Sequence, residues 1–366
     1  MTNDLLYKLA LPLIPNIGPV QAKILLQHYA VQDIFKARQS ELEKIEGIGS
    51  VRAKNIITFS GFDRIEEEIK FIEKYKISAV FVTDKNYPQR FLNCYDPPIV
   101  LFYRGKADLN AARMIGIVGT RNCTDYGKQI TEQLVKDLAL CNVTIVSGLA
   151  FGIDTVAHKA SLKNNLPTIG ALGHGLDTIY PKENAGLAKE MLKHGGGLIT
   201  EFYKGTKPDK QNFPRRNRIV AGLCDATIIV ETDIKGGSLI TAELANGYNR
   251  DVFAIPGRIT DKKSSGTNYL IRANKAVLLT DAKELIELMG WETKIKKEKN
   301  SQRELFIDLT TEEKVIVNIL TKKELVHIDE INLKSGLSSS AVAAAILNLE
   351  LQNVVAGLPG KLYKLN

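Results

Sequence analysis

Met114-Ile115-Gly116-Ile117-Val118-Gly119-Thr120-Arg121 is the stretch that decides the fold of this 366-residue chain. Its first five residues lack the polar alternation of a half-exposed strand, and they stop at a glycine, a hydroxyl and an arginine. A strand that is apolar on both faces is covered on both faces. Similar runs recur at 143–146, 168–172, 198–200, 226–230, 252–255 and 276–279, and helix-length segments at 130–140, 155–163, 185–194 and 239–248 lie between most of them. The pattern predicts an α/β domain with a doubly wound parallel sheet. In that architecture ligands sit at the carboxyl ends of the strands, so function is sought in the loops there.

Those loops share a chemistry. After the first strand, Gly119 lets the backbone approach a phosphate, and Thr120 and Arg121 follow, the arginine offering a fork of donors. Tyr126-Gly127 then precedes a helix. The second strand ends in Ser147-Gly148-Leu149-Ala150-Phe151-Gly152-Ile153-Asp154, whose glycines Gly148 and Gly152 build an anion-ready turn while Asp154 caps the next helix. His158, one turn into that helix, has no Ser or Cys nucleophile partner and reads as a packed histidine rather than a base. Gly173-His174-Gly175 and Tyr180-Pro181-Lys182-Glu183-Asn184 mark the third strand-to-helix loop, where Lys182 can reach a phosphate. The fifth strand ends in Glu231, and Gly236-Gly237-Ser238 leads into a helix containing Thr241, an oxyanion cradle at a helix N-terminus.

Neither a dinucleotide fingerprint nor an NTPase phosphate loop is present: Lys128 after Gly127 is followed by Gln129, not by Ser or Thr. Nucleotide hydrolysis loses its main support. Instead the segment 204–218 carries Lys204, Lys207, Lys210, Arg215, Arg216 and Arg218 against Asp209 alone, with Phe213 and Asn217 among them. Cations and an aromatic along several anion-ready loops make a strip rather than a pocket. A strip suits a polymer better than a mononucleotide.

The flanks differ from the centre. Ile14-Pro15-Asn16-Ile17-Gly18 and Ile45-Glu46-Gly47-Ile48-Gly49 repeat at an offset of 31 residues (45 minus 14), each ahead of an Ala-Lys pair. Each copy reads as helix, tight turn, helix, similar to tandem helix-hairpin-helix units. Asn16 stands in the leading glycine position, which asparagine tolerates because it visits the left-handed region. Such turns serve either a DNA backbone or packing and protein contacts. Beyond the strands, 291–308 is polar, with Lys294, Lys296, Lys297 and Lys299 close together, and reads as a mobile linker. Helices at 312–320, 328–333 and 338–352 follow, then a hairpin of 354–356 and 361–365 around Leu358-Pro359-Gly360, a winged helix pattern. Helix 338–352 holds no Arg or Lys, which favours packing or protein contact over base reading. The expected domains are 1–75, 76–290, the linker 291–308 and 309–366.

Net charge is +8, a lean toward polyanionic partners, and the hydrophobic fraction of 44% is that of a globular chain. Four cysteines without CxxC spacing suggest neither zinc site nor disulfide framework, and no metal or cofactor is expected. The N-terminus lacks a signal-peptide pattern and no apolar run reaches transmembrane length, so a cytoplasmic protein without membrane contact is expected.

Gly-Thr-Arg at 119–121, Ser-Gly-Leu-Ala-Phe-Gly-Ile-Asp at 147–154, Tyr-Pro-Lys-Glu-Asn at 180–184, Arg-Asn-Arg-Ile-Val-Ala-Gly at 216–222 and Gly-Gly-Ser-Leu-Ile-Thr-Ala at 236–242 together resemble the DNA-processing protein A family, also called Smf. The resemblance covers the whole central domain and implies a Rossmann-like sheet between a helix-hairpin-helix (SAM-like) domain and a winged helix domain. It implies a protein that binds single-stranded DNA with little sequence preference, protects incoming DNA, forms a homodimer and loads the RecA recombinase during natural transformation. By resemblance Arg121 holds a phosphate, Lys182 and Lys210 line the same groove, Phe213 stacks on a base and the loop from Gly236 to Thr241 completes the track. The segment 267–279 is the expected dimer surface, again by resemblance only.

An enzyme reading competes. Phosphoribohydrolases of the lysine-decarboxylase-like fold carry Pro-Gly-Gly, one residue, Gly-Thr, two residues and a catalytic Glu. Aligning Gly236-Gly237 puts Glu243 at that spacing, but Lys235 replaces the proline and Leu239 and Ile240 replace the Gly-Thr.

Overall fold

The computed structural model describes residues 2–291, 309–321, 323, 325–352, 354–358 and 361–365. It divides into two compact units, Met1–Lys294 and Ile295–Asn366. The linker expected at 291–308 lies, apart from Trp291, outside the described residues, as does the Pro359-Gly360 turn.

The first unit is built on a nine-stranded sheet: β1 (Ser78–Phe81), β2 (Val100–Gly105), β3 (Met114–Val118), β4 (Thr144–Ser147), β5 (Thr168–Ala171), β6 (Gly197–Thr200), β7 (Ala226–Ile229), β8 (Asp251–Ala254) and β9 (Val277–Leu278). Their order is β1-β2-β6-β5-β4-β3-β7-β8-β9. From β6 to β9 every pairing is parallel, with Ile115 opposite Ala226 and Met114 opposite Thr144 around the central β3.

The two-residue period of these strands sorts the core into two layers. Met114, Val118, Val146, Ile169 and Ile229 pack on one face with Ile219, Val220 and Leu223 of helix Asn212–Leu223 and Ala242 and Ala245 of helix Gly237–Gly247. Ile115, Ile117, Ile145, Ile228 and Phe253 pack on the other with Leu134, Val135 and Leu138 of helix Asp125–Leu138 and Ala157 and Ala160 of helix Ile153–Lys163. Helices on both faces make the sheet doubly wound.

Two expectations are corrected. The sheet is not wholly parallel: β2 runs antiparallel to β6, with Phe102 opposite Thr200, and β1 runs antiparallel to β2. These strands need no crossover helix, so the strand-helix alternation does not announce them. Three of the four helices between the strands also start earlier than their apolar residues suggest. Thr124 Oγ1 accepts the Gly127 N–H at 3.1 Å and so caps a helix that begins at Asp125, which puts Tyr126 and Gly127 inside it.

The amino-terminal helices are joined to the sheet by a common core in which Leu9, Ile65 and Ile69 meet Phe81, Val100, Phe102 and Tyr203. In the repeat, Asn16 has φ 65° and Gly47 φ 84°, the left-handed geometry expected of both. Arg52 Nε donates to the Asn16 carbonyl at 3.0 Å and Asn55 Nδ2 to the Pro15 carbonyl at 2.9 Å, so the second hairpin's helix ties down the first turn. In the second unit, helices Thr311–Leu320, Ile328–Ser335 and Ser339–Leu351 enclose Ile316, Leu320, Ile331, Val342 and Ile346 beside β10 (Val326–His327), β11 (Val355–Leu358) and β12 (Leu362–Leu365), sheet order β10-β12-β11. That is a winged helix, with a short third strand the sequence reading omitted.

Candidate nucleic-acid interface

β3 has β4 on one side and β7 on the other, so the chain order reverses there and leaves a crevice at the strand ends. Glu231, just past β7, organises it. Its buried carboxylate accepts the Thr124 N–H at 2.9 Å and the Thr124 hydroxyl, and its carbonyl accepts the Thr120 N–H at 2.7 Å. The Thr120 carbonyl in turn accepts the Ile153 N–H at 3.2 Å. Gly152 meets this loop at φ 74°, and a side chain there would strike the Thr120 carbonyl. A side chain at Gly119 would strike Ile153. The loops after β3 and β4 are thus held against each other by atoms that leave the Arg121 side chain exposed.

A concavity of about 480 Å³ opens beyond them. It brings together Gly119, Thr120, Arg121, Lys210, Phe213, Arg216, Asn217, Gly236, Gly237, Ser238 and Thr241. No side chain caps the first turn of helix Gly237–Gly247, whose N-terminal end therefore offers main-chain donors and a partial positive charge. Asn217 Nδ2 donates to the Gly237 carbonyl at 3.3 Å and ties that turn to helix Asn212–Leu223. Phe213, half-buried, rests with its ring centre 4.9 Å from the Arg121 guanidinium and 6.1 Å from the Tyr180 ring.

The floor of the groove is ionic. Arg216 is buried, its Nη1 donating to the Ala171 carbonyl at 3.2 Å and lying 3.8 Å from the Asp154 carboxylate. Burial pushes the Asp154 carboxyl above the usual range, against the pull of Arg216. Gly148 is required beneath this pair, since a Cβ there would overlap the guanidinium. Arg216 Nε and Ser238 Oγ, both buried at the groove, have no hydrogen-bond partner among the described residues. Polar groups left in that state mark a place where a ligand oxygen would be accepted.

Four expected residues lie elsewhere. Gly148 and Gly152 support the groove from behind without lining it. Arg218 is turned away: its Nε and Nη2 hold both oxygens of buried Glu201, the former at 3.1 Å, and its Nη1 reaches the Asp96 carbonyl, leaving 9% of the side chain exposed. Two residues, about 200° of turn, separate Arg216 from Arg218 and send them to different sides of the helix, a difference that the run of arginines hides. Lys182 is exposed but lines a neighbouring concavity on the far side of Tyr180. The sequence reading assigned nothing to Tyr180, which is 48% exposed and stands between the two concavities. An aromatic in a strand-end loop beside a proline and a lysine was the available signal.

His158 is structural, as expected. Fully buried, it places Nε2 at 2.6 Å from the Gly148 carbonyl, to which it donates, and Nδ1 at 2.6 Å from the Thr168 hydroxyl. Burial holds its pKa down at about 4.

Among known proteins, the family model of DNA recombination-mediator protein A matches residues 78–290, that of the DprA winged helix domain residues 304–361, and that of the SAM-like helix-hairpin-helix tandem residues 10–59. Protein Smf of Synechocystis is 34% identical over 98% of this chain and 98% of its own length, and Protein Smf of Escherichia coli 32% identical over 90% and 89%. The crystal structure of DNA processing protein A from Streptococcus pneumoniae, 34% identical, superposes with a TM-score of 0.66 over 80% of this chain and 99% of that one. The structure that gives the single-stranded DNA binding mode of DNA processing protein A from Helicobacter pylori, 33% identical, superposes with a TM-score of 0.54 over 60% and 98%. With the sheet domain and both flanking domains matched, the chain belongs to the DNA recombination-mediator protein A family, whose relatives carry the names DNA processing protein A and Smf.

Proposed function

We propose that the groove at the β3–β7 crevice binds single-stranded DNA with little regard to sequence, and that the protein passes the strand to the RecA recombinase during natural transformation and recombination. The observation that carries this reading is the meeting of Arg121, Lys210, Phe213 and the uncapped turn at Gly236-Gly237 in one open concavity. Cations and main-chain donors suit phosphates, and the half-buried ring of Phe213 suits any base. The Helicobacter pylori relative is described by its single-stranded DNA binding, which supports the same ligand here. Delivery to RecA, a homodimer and a cytoplasmic setting are proposed on the likeness to the family. For the dimer, edge strand β9 offers Val277 and Leu278, 49% and 40% exposed, beside helix Ser265–Arg272. Among the described residues no helix is long and apolar enough to cross a membrane.

The hydrolase reading is not favoured. Glu243, which would have to be its catalytic carboxylate, is exposed, pairs with Lys275 at 2.6 Å and does not line the groove. Titrating a single-stranded oligonucleotide and its duplex across a salt series tests the proposal. Tighter single-strand binding with a falling log K against log salt is expected. Equal affinity for the duplex at every salt would sink it.

A further inference from the structure

Beside the groove lies a larger concavity, of about 1190 Å³. Helix Phe62–Tyr75 forms one wall, and the chain from Leu176 through helix Ala185–Lys193 forms the other. Six cations face into it, Lys70, Lys74, Arg104, Lys182, Lys189 and Lys204, against the two acids Glu67 and Asp177. All six are exposed, and none makes an ion pair among the described residues. Asp177 is already engaged, accepting the Gly205 N–H at 3.1 Å.

Surface lysines ordinarily spread apart or alternate with acids. Here Lys70 and Lys74 stand four apart on one helical face, a like-charge spacing that costs a few tenths of a kcal/mol by itself, and the opposite wall adds more cations. Aromatic rings are set among them. Phe71 and Tyr75 lie 4.8 Å apart, with Lys204 over the first at 5.9 Å and Lys74 over the second at 5.5 Å, and Tyr75 is 40% exposed. Interleaved cations and accessible rings along an open channel suit a nucleic-acid strand. Tyr180 joins this channel to the groove, lining the first while its ring stands 6.1 Å from Phe213 in the second.

We propose that a single strand held at Arg121 and Phe213 continues past Tyr180 and Lys182 into this channel, where Lys70, Lys74 and Arg104 hold its phosphates and Tyr75 receives a base. The amino-terminal helical region then acts as one wall of the DNA path. The inference rests on the proposed function of the groove, and it gives Lys182 a phosphate on the far side of Tyr180.

The test uses the full chain and oligothymidylates of about 6 and about 20 nucleotides, compared with a duplex of the longer length. The triple variant Lys70→Ser, Lys74→Ser, Arg104→Ser should bind the short strand as the wild type does. It should bind the long strand more weakly, with a salt slope reduced by about 2, three contacts at roughly 0.7 each. Replacing Lys70 and Lys74 by arginine with Arg104 kept should leave the slope at its wild-type value. If Arg121→Ala weakens the long strand and the triple variant does not, the continuation is wrong and the groove stands. Should the triple variant weaken it while Arg121→Ala does not, the strand avoids the groove, and both this path and the proposed function fall. An equal loss of duplex binding in the triple variant would mean a general polyanion surface and would also overturn the path.

Discussion

The guanidinium of Arg121 lies over the ring of Phe213, 4.9 Å from its centre. The two residues come from different elements, the loop after β3 and the start of helix Asn212–Leu223, and meet only because β3 and that helix share a layer of core. A cation on an aromatic face is held there by the ring quadrupole, for about 0.5–1 kcal/mol at an exposed site. The phosphate donor and the base platform therefore brace each other.

Their effects on DNA binding should consequently fail to add. Arg121→Ala should weaken single-strand binding and flatten the salt slope by about 0.7. Phe213→Ala removes a stacking platform that contributes about 1–3 kcal/mol per base and should keep most of the slope, while Phe213→Trp preserves affinity. The double variant should lose less than the sum of the two, by at least about 0.5 kcal/mol. Additive losses in a salt-controlled titration would show that the contact has no bearing on DNA.

Arg218 should behave differently from its neighbours. Its guanidinium is buried on Glu201, and removing one partner of such a pair costs up to about 3–5 kcal/mol, lessened here because Arg215 Nη2 still reaches the Glu201 carboxylate at 3.4 Å. Arg218→Ala should lower the melting temperature markedly. Where the variant remains folded, its salt slope for single-stranded DNA should match wild type. A stable variant with a flattened slope would put Arg218 back on the phosphate path.

The central fold was legible because its strands are buried on both faces and so read as unbroken apolar runs: Met114–Val118 and Ala226–Ile229 are buried at every position. β1 and β2 escaped because Pro88, Pro97 and Pro98 interrupt the segment between them and the pair packs against the helical region instead of a crossover helix. The site was legible where a residue type fixes both backbone and chemistry, as in Gly119-Thr120-Arg121 and Gly236-Gly237. It was less so along helix Asn212–Leu223. There each successive residue turns about 100° around the axis, so arginines of identical chemistry end up at the exposed rim of the Glu201 pair at Arg215, at the groove at Arg216 and buried on Glu201 at Arg218.

Shortening the chain tests whether the first unit is self-sufficient. Trp291 belongs to that unit, packing beside the buried Leu285 and Ile286 with the Arg113 guanidinium 5.7 Å from its ring. A chain ending at Trp291 should stay folded and keep its single-strand affinity, since every groove residue precedes position 242. A chain ending at Gly290 should melt at a lower temperature. Loss of DNA binding by the first, still folded, would place the site in the second unit.

Acid should reveal His158. Its pKa is about 4 in the folded protein against 6.5 for the free group, because burial disfavours the charged ring. Between those values the unfolded chain binds a proton that the folded chain does not, so this residue lowers stability as pH falls from about 6.5 to 4 and contributes nothing further below that. A shift of this size corresponds to roughly 3 kcal/mol at the acid end. The glutamine variant His158→Gln keeps a donor near the Gly148 carbonyl and does not titrate. Denaturant unfolding at several pH values, read as the difference between wild type and this variant, cancels the slopes of other titrating groups such as Asp154, which belongs to the same Ser147–Asp154 loop as the Gly148 carbonyl. The difference should shrink as pH falls through that window, with the wild type losing its advantage. A difference independent of pH would mean that the ring is already charged at neutral pH, held by the Gly148 carbonyl and Thr168 hydroxyl as a double donor.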